Sequence, residues 1–503
     1  MKKPDFRIRF FVLFWLILAF AQPVSAQRKP QEKTFRLAGL FSNHMVLQQQ
    51  TDAAIWGRAE PNQKVTIQPS WMEESVTTTV DADGKWKTTV PTPEAGGPFQ
   101  IHFESGDETQ VLKNVMSGEV WICSGQSNMQ WRMKGFGVDH FKEAVVKAKQ
   151  PNIRYSLIPQ VIALEPQEDV KTSWSICSPK TVLNFSATAY FFANKLDQEL
   201  DGIPIGLIST NWGGSPAEAW INQQSLLEHC PEFAPVYEEY AGMIEETGVT
   251  YQGRKRPKKV KHGLPSVLYN SMIHPIAPFT CRGVIWYQGE SNVEDPEQYQ
   301  RMFPELIQSW RAEWGQGDFP FYYVQIAPFR YLDKKLPVAL LRESQFKTLE
   351  VPNTGMVVTM DIGNPTNIHP KQKQPVGERL ALLALAKEYG RSDLVYSGPQ
   401  YVSHEVEGNQ IRLQFEYVED GIASRDDKPL SHFTIAGADQ VFHPAVAEID
   451  GQTIVVQSNK VANPVAVRFA WGNADEPNLM NTAGLPSSSF RTDDWPYAKP
   501  AKK

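Results

Sequence analysis

The chain has 503 residues, 41% of them hydrophobic and 11% aromatic, with a formal net charge of −6. That length suits two or three globular domains, and that composition excludes a disordered chain. A mild acidic balance spread along the sequence argues against a nucleic-acid partner, and the one basic run, Arg254 to Lys261, reads as a solvated loop.

Residues 1–26 have the three parts of a secretory signal peptide: Lys2, Lys3, Arg7 and Arg9, an apolar run from Phe10 to Ala21, and small residues ending at Ala26. The run is short for a membrane span, which needs about 20 apolar residues. A secreted or periplasmic mature protein beginning near Gln27 is expected, with no membrane partner after cleavage. Four widely spaced cysteines, Cys123, Cys177, Cys230 and Cys281, make neither a disulfide framework nor a metal-ligand pattern. Cys123 reads as a small core residue.

From Phe35 to Val115 short strands alternate with turns. VTIQPSW, SVTTTV and KWKTTV, the last two flanking Asp81-Ala82-Asp83-Gly84, suggest hairpins in a small β-sandwich over 27–115. The pattern then changes. Apolar strand candidates EVWIC, IPIGLIST, RGVIWY, FYYVQI and GMVVTM alternate with amphipathic stretches Ser186–Leu200, Pro296–Trp314 and Pro375–Tyr389. This alternation predicts an α/β fold with a mostly parallel sheet over 116–392. After Tyr396 β patterns return (IRLQFEYV, TIVVQ, VAVRFAW), predicting a C-terminal β-domain over 393–503.

Open α/β sheets bind ligands beyond the carboxyl ends of their strands. Four polar segments stand there: Gly125 to Met129 after EVWIC, Asn211 to Ser215 after IPIGLIST, Gln288 to Asn292 after RGVIWY, and Asp361 to His369 after GMVVTM. Acyl transfer needs a nucleophile, a base, a group orienting that base and donors for an oxyanion. Ser127 is the candidate nucleophile, although from this turn alone it reads more readily as a helix cap. Among ten histidines, only His369 follows a strand end on this rim; His274, in YNSMIHP, is the nearest rival. Gly213 and Gly214 offer backbone N–H groups before a helix expected near Pro216, and Gln288 offers a side-chain amide.

GQSNM, NWGGSPAEAW, WYQGESN and DIGNPTNIHP together resemble the sequence blocks of the SGNH hydrolase superfamily, specifically the sialate O-acetylesterase family and the similar acetylxylan esterases. The C-terminal string NLMNTAGLPSSSFRTD resembles the end of those chains. The resemblance implies an SGNH-hydrolase-like three-layer sandwich flanked by N- and C-terminal β-domains, and a carbohydrate O-acetylesterase acting through an acyl-enzyme. It implies Ser127 as nucleophile, His369 as general base, and the Ser127 N–H, Gly214 N–H and Gln288 amide as oxyanion donors. Two departures stand out. Gln288 replaces the usual asparagine, and Thr366 stands where the superfamily has an aspartate three residues before the histidine. The orienting acid is therefore expected to be Glu290, which resembles the glutamate of the acetylxylan esterases, with Asp361 or a two-residue Ser–His arrangement as alternatives.

Arg342, in LRESQ, is a candidate contact for an acidic substrate group, and Trp131 and Trp286 are candidate apolar walls for a sugar face or acetyl methyl. No metal or organic cofactor is expected. Acetylated sialic acid is the favoured substrate and acetylated plant polysaccharide the alternative; a carbohydrate-binding protein with a dead esterase fold is the rival of another class.

Overall fold

The computed structural model of the protein describes Met1 and residues 34–252, 257–332 and 337–497. The expected signal segment and part of the basic run Arg254–Lys261 lie outside the described residues. No helix of the described residues is long and apolar enough to cross a membrane.

The central sheet contains β1 (Glu108–Gly125), β2 (Ile153–Leu157), β3 (Trp174–Ile176), β4 (Ile205–Asn211), β5 (Gly283–Tyr287), β6 (Phe321–Val324) and β7 (Thr354–Val357) in the order β3-β2-β4-β1-β5-β6-β7. Along this path every neighbouring pair is parallel except β3 with β2. With the antiparallel strands that join β1 from the N-terminal region, the whole sheet is mixed. Central strands buried on both faces need continuous apolar sequence rather than alternation, and Val120 to Cys123 and Val284 to Tyr287 are fully buried runs of that kind. Their alternate side chains feed two separate apolar clusters. Trp121, Cys123, Ile285 and Tyr287 pack with Phe191, Phe192 and Leu196 of α2 (Ala187–Glu199) and with Leu380 and Ala384 of α5 (Lys373–Lys387). Val120, Ile122, Val284 and Trp286 join the cluster of Tyr299, Phe303 and Trp310 from α3 (Pro296–Trp314). Trp286 is thus core, ringed by Trp220 and Trp310, and forms no substrate wall.

Helix α3 has the predicted bounds, since Asp295 caps it by accepting from Gln298 N and Gly315 ends it in the left-handed conformation. Helix α5 begins at Lys373, two residues before the expected Pro375. Proline is tolerated in a first helical turn, whose N–H groups have no intrahelical partner.

Strand β1 is 18 residues long. Its first part pairs antiparallel with Gly96–Ser105 and parallel with Val46–Gln48, and its last part is the centre of the α/β sheet, so position 115/116 lies inside one continuous strand. The turn at Asp81–Gly84 forms, with Asp81 Oδ1 accepting from Asp83 N and Lys85 N. The strands it joins enter different sheets, however. Val76–Thr79 pairs with Lys64–Pro69, and Lys85–Pro91 with Asp52–Arg58, so the expected hairpin is a corner between two sheets. Val80 and Trp86, both buried, anchor that corner in the apolar interior. After Tyr396 two four-stranded antiparallel sheets form, the first holding Gln410–Glu416 and Thr453–Gln457, the second Phe433–Ala436 and Ala466–Phe469.

Candidate active site

Three strands end side by side. Gly125 of β1 is in register with Asn211 of β4 and with Tyr287 of β5, so the segments after them leave the sheet at one rim. The first turns at once into α1 (Ser127–Gln130), which is tied to its neighbours by the amide side chains of Gln126, just before it, and of Asn128 and Gln130 within it. Gln126 Oε1 accepts from Gly289 N and Ser291 N; Asn128 Nδ2 donates to Glu290 Oε1 at 2.5 Å and to Ile368 O at 3.1 Å; Gln130 Oε1 accepts from Gly213 N at 2.6 Å. A side-chain amide carries both donors and an acceptor, so one residue type can bridge loops that lack a common sheet.

At the centre, His369 Nε2 lies 2.9 Å from Ser127 Oγ. Both side chains are half-buried. The loop carrying His369 is locked locally: Asn364 Oδ1 accepts from Thr366 N and Asn367 N, and Asn367 Oδ1 from His369 N. Such side-chain-to-backbone bonds stabilise a turn without regular structure. Burial, then the nearby charge of Lys373, holds the His369 imidazole below its ordinary pKa. The neutral ring, the form that accepts a proton, is favoured. A cleft of about 340 Å³ opens over the pair, lined by Ser127, Gln130, Trp131, Arg132, Lys134, Gly135 and His369. Trp131 stands 4.6 Å from the His369 ring and stacks on Phe136 at 4.4 Å, at the edge of this cleft. A second hollow of about 190 Å³ shares Gln130 and Arg132 with it and is lined by Gln160, Asn184 and Asn211 among others.

Gly214 takes φ +75°, and neither its N–H nor that of Ser127 has a partner among the described residues. The Gly213 N–H is taken by Gln130. Gln288 must be corrected. It is fully buried, and its Nε2 donates to Asn292 Oδ1 at 2.6 Å and Ser215 O at 3.3 Å. Asn292 in turn accepts from Ala217 N and donates to Glu218, so Gln288 clamps the WGGSPAEAW loop and offers no hydrogen to an ester. That loop runs into a short 3-10 turn, Ala217–Trp220, rather than a longer helix.

The orienting acid is also corrected. Glu290 is buried and bonded to Asn128, and no carboxylate pairs with His369 among the described residues. Asp361 is committed to Arg379 through two hydrogen bonds of 2.8 and 2.6 Å. Arg342 does not reach the cleft either. Fully buried, it donates to Ser489 Oγ, Ala470 O and Gly472 O, joining α4 (Ala339–Lys347) to the C-terminal sheets. His274 pairs with Glu313 at 2.9 Å, away from Ser127. All four cysteines are buried free thiols. No cluster of three or more His, Cys, Asp or Glu side chains is arranged as a metal site among the described residues.

Asn128, Gln130, Lys373 and Arg132 were not singled out from sequence, although the first two lie within or next to GQSNM. Lys373 reads as an ordinary helix-start lysine, yet it is fully buried with its Nζ donating to Asn128 Oδ1.

A hydroxyl held against an imidazole at the carboxyl rim of such a sheet fits a hydrolase of the serine type. Comparison with known proteins narrows that class. The chain belongs to the carbohydrate esterase family described as sialic acid-specific acetylesterase, whose profile matches residues 117–386. It is 30% identical to the mouse sialate O-acetylesterase over 488 residues, covering 87% of this chain and 89% of that one. It is also 30% identical to the human sialate O-acetylesterase, covering 87% of each. The crystal structure of a carbohydrate acetylesterase from Xanthomonas citri is 38% identical, with a TM-score of 0.81 over 92% of this chain and 100% of that one.

Proposed function

We propose that this chain is an exported carbohydrate O-acetylesterase that removes acetyl groups from acidic sugars, O-acetylated sialic acid above all. Its α/β part, over 116–392, is read as an SGNH-type three-layer domain between β-domains at 27–115 and 393–503, and residues 1–26 as the export signal. The observation that carries the reading is the 2.9 Å contact between Ser127 Oγ and His369 Nε2 under an open cleft.

In this mechanism Ser127 Oγ attacks the acetyl carbonyl while His369 Nε2 takes the hydroxyl proton. The oxyanion is received by the Ser127 and Gly214 N–H groups, and His369 returns the proton to the departing sugar oxygen. Water, deprotonated by the same imidazole, then releases acetate from the acyl-serine. An acidic sugar is supported by charge. Arg132 and Lys134 line the cleft, and neither it nor the adjoining hollow is lined by a carboxylate, in a chain with more acidic than basic residues.

Acetate release from O-acetylated N-acetylneuraminic acid and from acetylated xylan, with Ser127→Ala as control, tests this. A preference of more than about tenfold in kcat/KM for the sialic acid, roughly 1.4 kcal/mol in transition-state binding, is expected. Equal rates or the reverse preference overturn the substrate reading, and activity in Ser127→Ala overturns the mechanism.

A further inference from the structure

No acid pairs with His369 among the described residues, yet a buried acid and a buried amine both hold the residue next to Ser127. Asn128 follows Ser127, Ile368 precedes His369, and the Asn128 side chain spans the two. Every strong hydrogen-bonding position of that carboxamide is used. Its two N–H groups go to Glu290 Oε1 and Ile368 O, and its oxygen accepts from Lys373 Nζ. A donor on the oxygen side and an acceptor on the nitrogen side leave one orientation for the amide, so its grip on the Ile368 carbonyl is fixed rather than averaged over a flip. We propose that Asn128 is a positioning residue: held between Lys373 and Glu290, it sets His369 against Ser127 through the Ile368 carbonyl, in place of a carboxylate bonded to the imidazole. The inference rests on the reading of Ser127 and His369 as nucleophile and base.

Burial and charge are consistent with a matched pair. Asn128 and Lys373 are fully buried and Glu290 nearly so. Burial pushes Lys373 down to about 7 against the opposing pull of Glu290, and burial raises Glu290 against its hydrogen bonds and the Lys373 charge. The Lys373 ammonium also lies 5.3 Å from the Tyr287 ring centroid, on β5. Tyr287, Tyr299 and Tyr331 are the other titratable groups felt by or feeling Glu290, all held protonated by burial. Isolated, either charge would be costly at this depth; bridged by one amide, each lowers the cost of the other. Lys373 therefore has two effects on the base, one mechanical through Asn128 and one electrostatic, because its charge disfavours the imidazolium.

The test uses the full chain and 4-nitrophenyl acetate. Glu290→Gln keeps an acceptor for the Asn128 amide and is expected to retain kcat within about fivefold, whereas Asn128→Leu and Glu290→Leu lose about 100-fold with KM within about threefold. Lys373→Met is expected to move the acid limb of the kcat/KM profile upward by roughly half a pH unit, a displacement that a packing role would not produce. A collapse of Glu290→Gln to the level of Glu290→Leu, or wild-type kcat in folded Asn128→Leu, overturns the inference while leaving Ser127 and His369 untouched. Activity in Ser127→Ala would instead overturn the reading beneath it. If Asn128→Leu does not fold, the near-isosteric Glu290→Gln and NMR titration of His369 in Lys373→Met decide the matter: an unmoved His369 pKa counts against it.

Discussion

Gly213 lies against Ser127 so closely that a Cβ on it would stand 3.2 Å from the Ser127 Cβ and 3.0 Å from Gln130 Oε1. The glycine is required here by space rather than by φ. Gly213→Ala should therefore displace Ser127 or break the Gln130 bond, lowering kcat by about tenfold or more, roughly 1.4 kcal/mol, with little loss of stability. Steady-state kinetics beside a thermal melt check this; unchanged kcat would mean the two loops have slack.

The depressed pKa of His369 has a definite sign in the pH profile. A general base works when neutral, so activity falls as pH drops through its folded-state pKa, which lies below the ordinary 6.5. The acid limb of kcat/KM should thus fall below pH 6.5. The same shift makes a stability statement: between the folded and unfolded values the unfolded chain binds more protons at this site, so the contribution of His369 to stability declines as pH falls below 6.5. A limb above 6.5 would show that burial and the Lys373 charge do not together depress the ring.

Arg342 offers a test of architecture against recognition. Removing a buried guanidinium that holds three acceptors should destabilise the protein by about 3 kcal/mol. Arg342→Met is expected to lower the midpoint of denaturant unfolding and leave KM unchanged for an acidic substrate. A selective rise in KM at unchanged stability would return the residue to the binding site.

Arg132 is the complementary case. Exposed and shared by both hollows, it should be dispensable for folding. Arg132→Gln is expected to raise KM for an acetylated sialic acid by about fivefold, in the range of about 1 kcal/mol for one partly exposed ion pair, and to spare 4-nitrophenyl acetate. Equal effects on both esters would argue against charge recognition.

Much of this could be read from the chain, and what could not has a common cause. Apolar runs such as RGVIWY and the capped stretch Pro296–Trp314 announce themselves locally, and the four polar segments follow from where those runs stop. Ser127 and His369 stand out by position on that rim, and the fold brings them together. The errors concern polar side chains whose partners are remote. Gln288 and Arg342 look the same in sequence whether they face a ligand or a buried carbonyl, and only the fold shows that Ser215 O and Ala470 O are waiting. Asn128 is inconspicuous in sequence for the same reason, because its partners Glu290 and Ile368 lie 162 and 240 residues away.

Strand β1 has a consequence for how such a chain can be cut and rejoined. At about 3.3 Å per residue, its 18 residues form a bar roughly 60 Å long. One end is woven into the N-terminal sheet and the other presents the serine. A module that meets its neighbour through a linker can be exchanged, deleted or grafted elsewhere. Here the seam is a hydrogen-bonded strand buried from Val115 to Gly125, so a cut between 115 and 116 would sever the strand that leads to the serine.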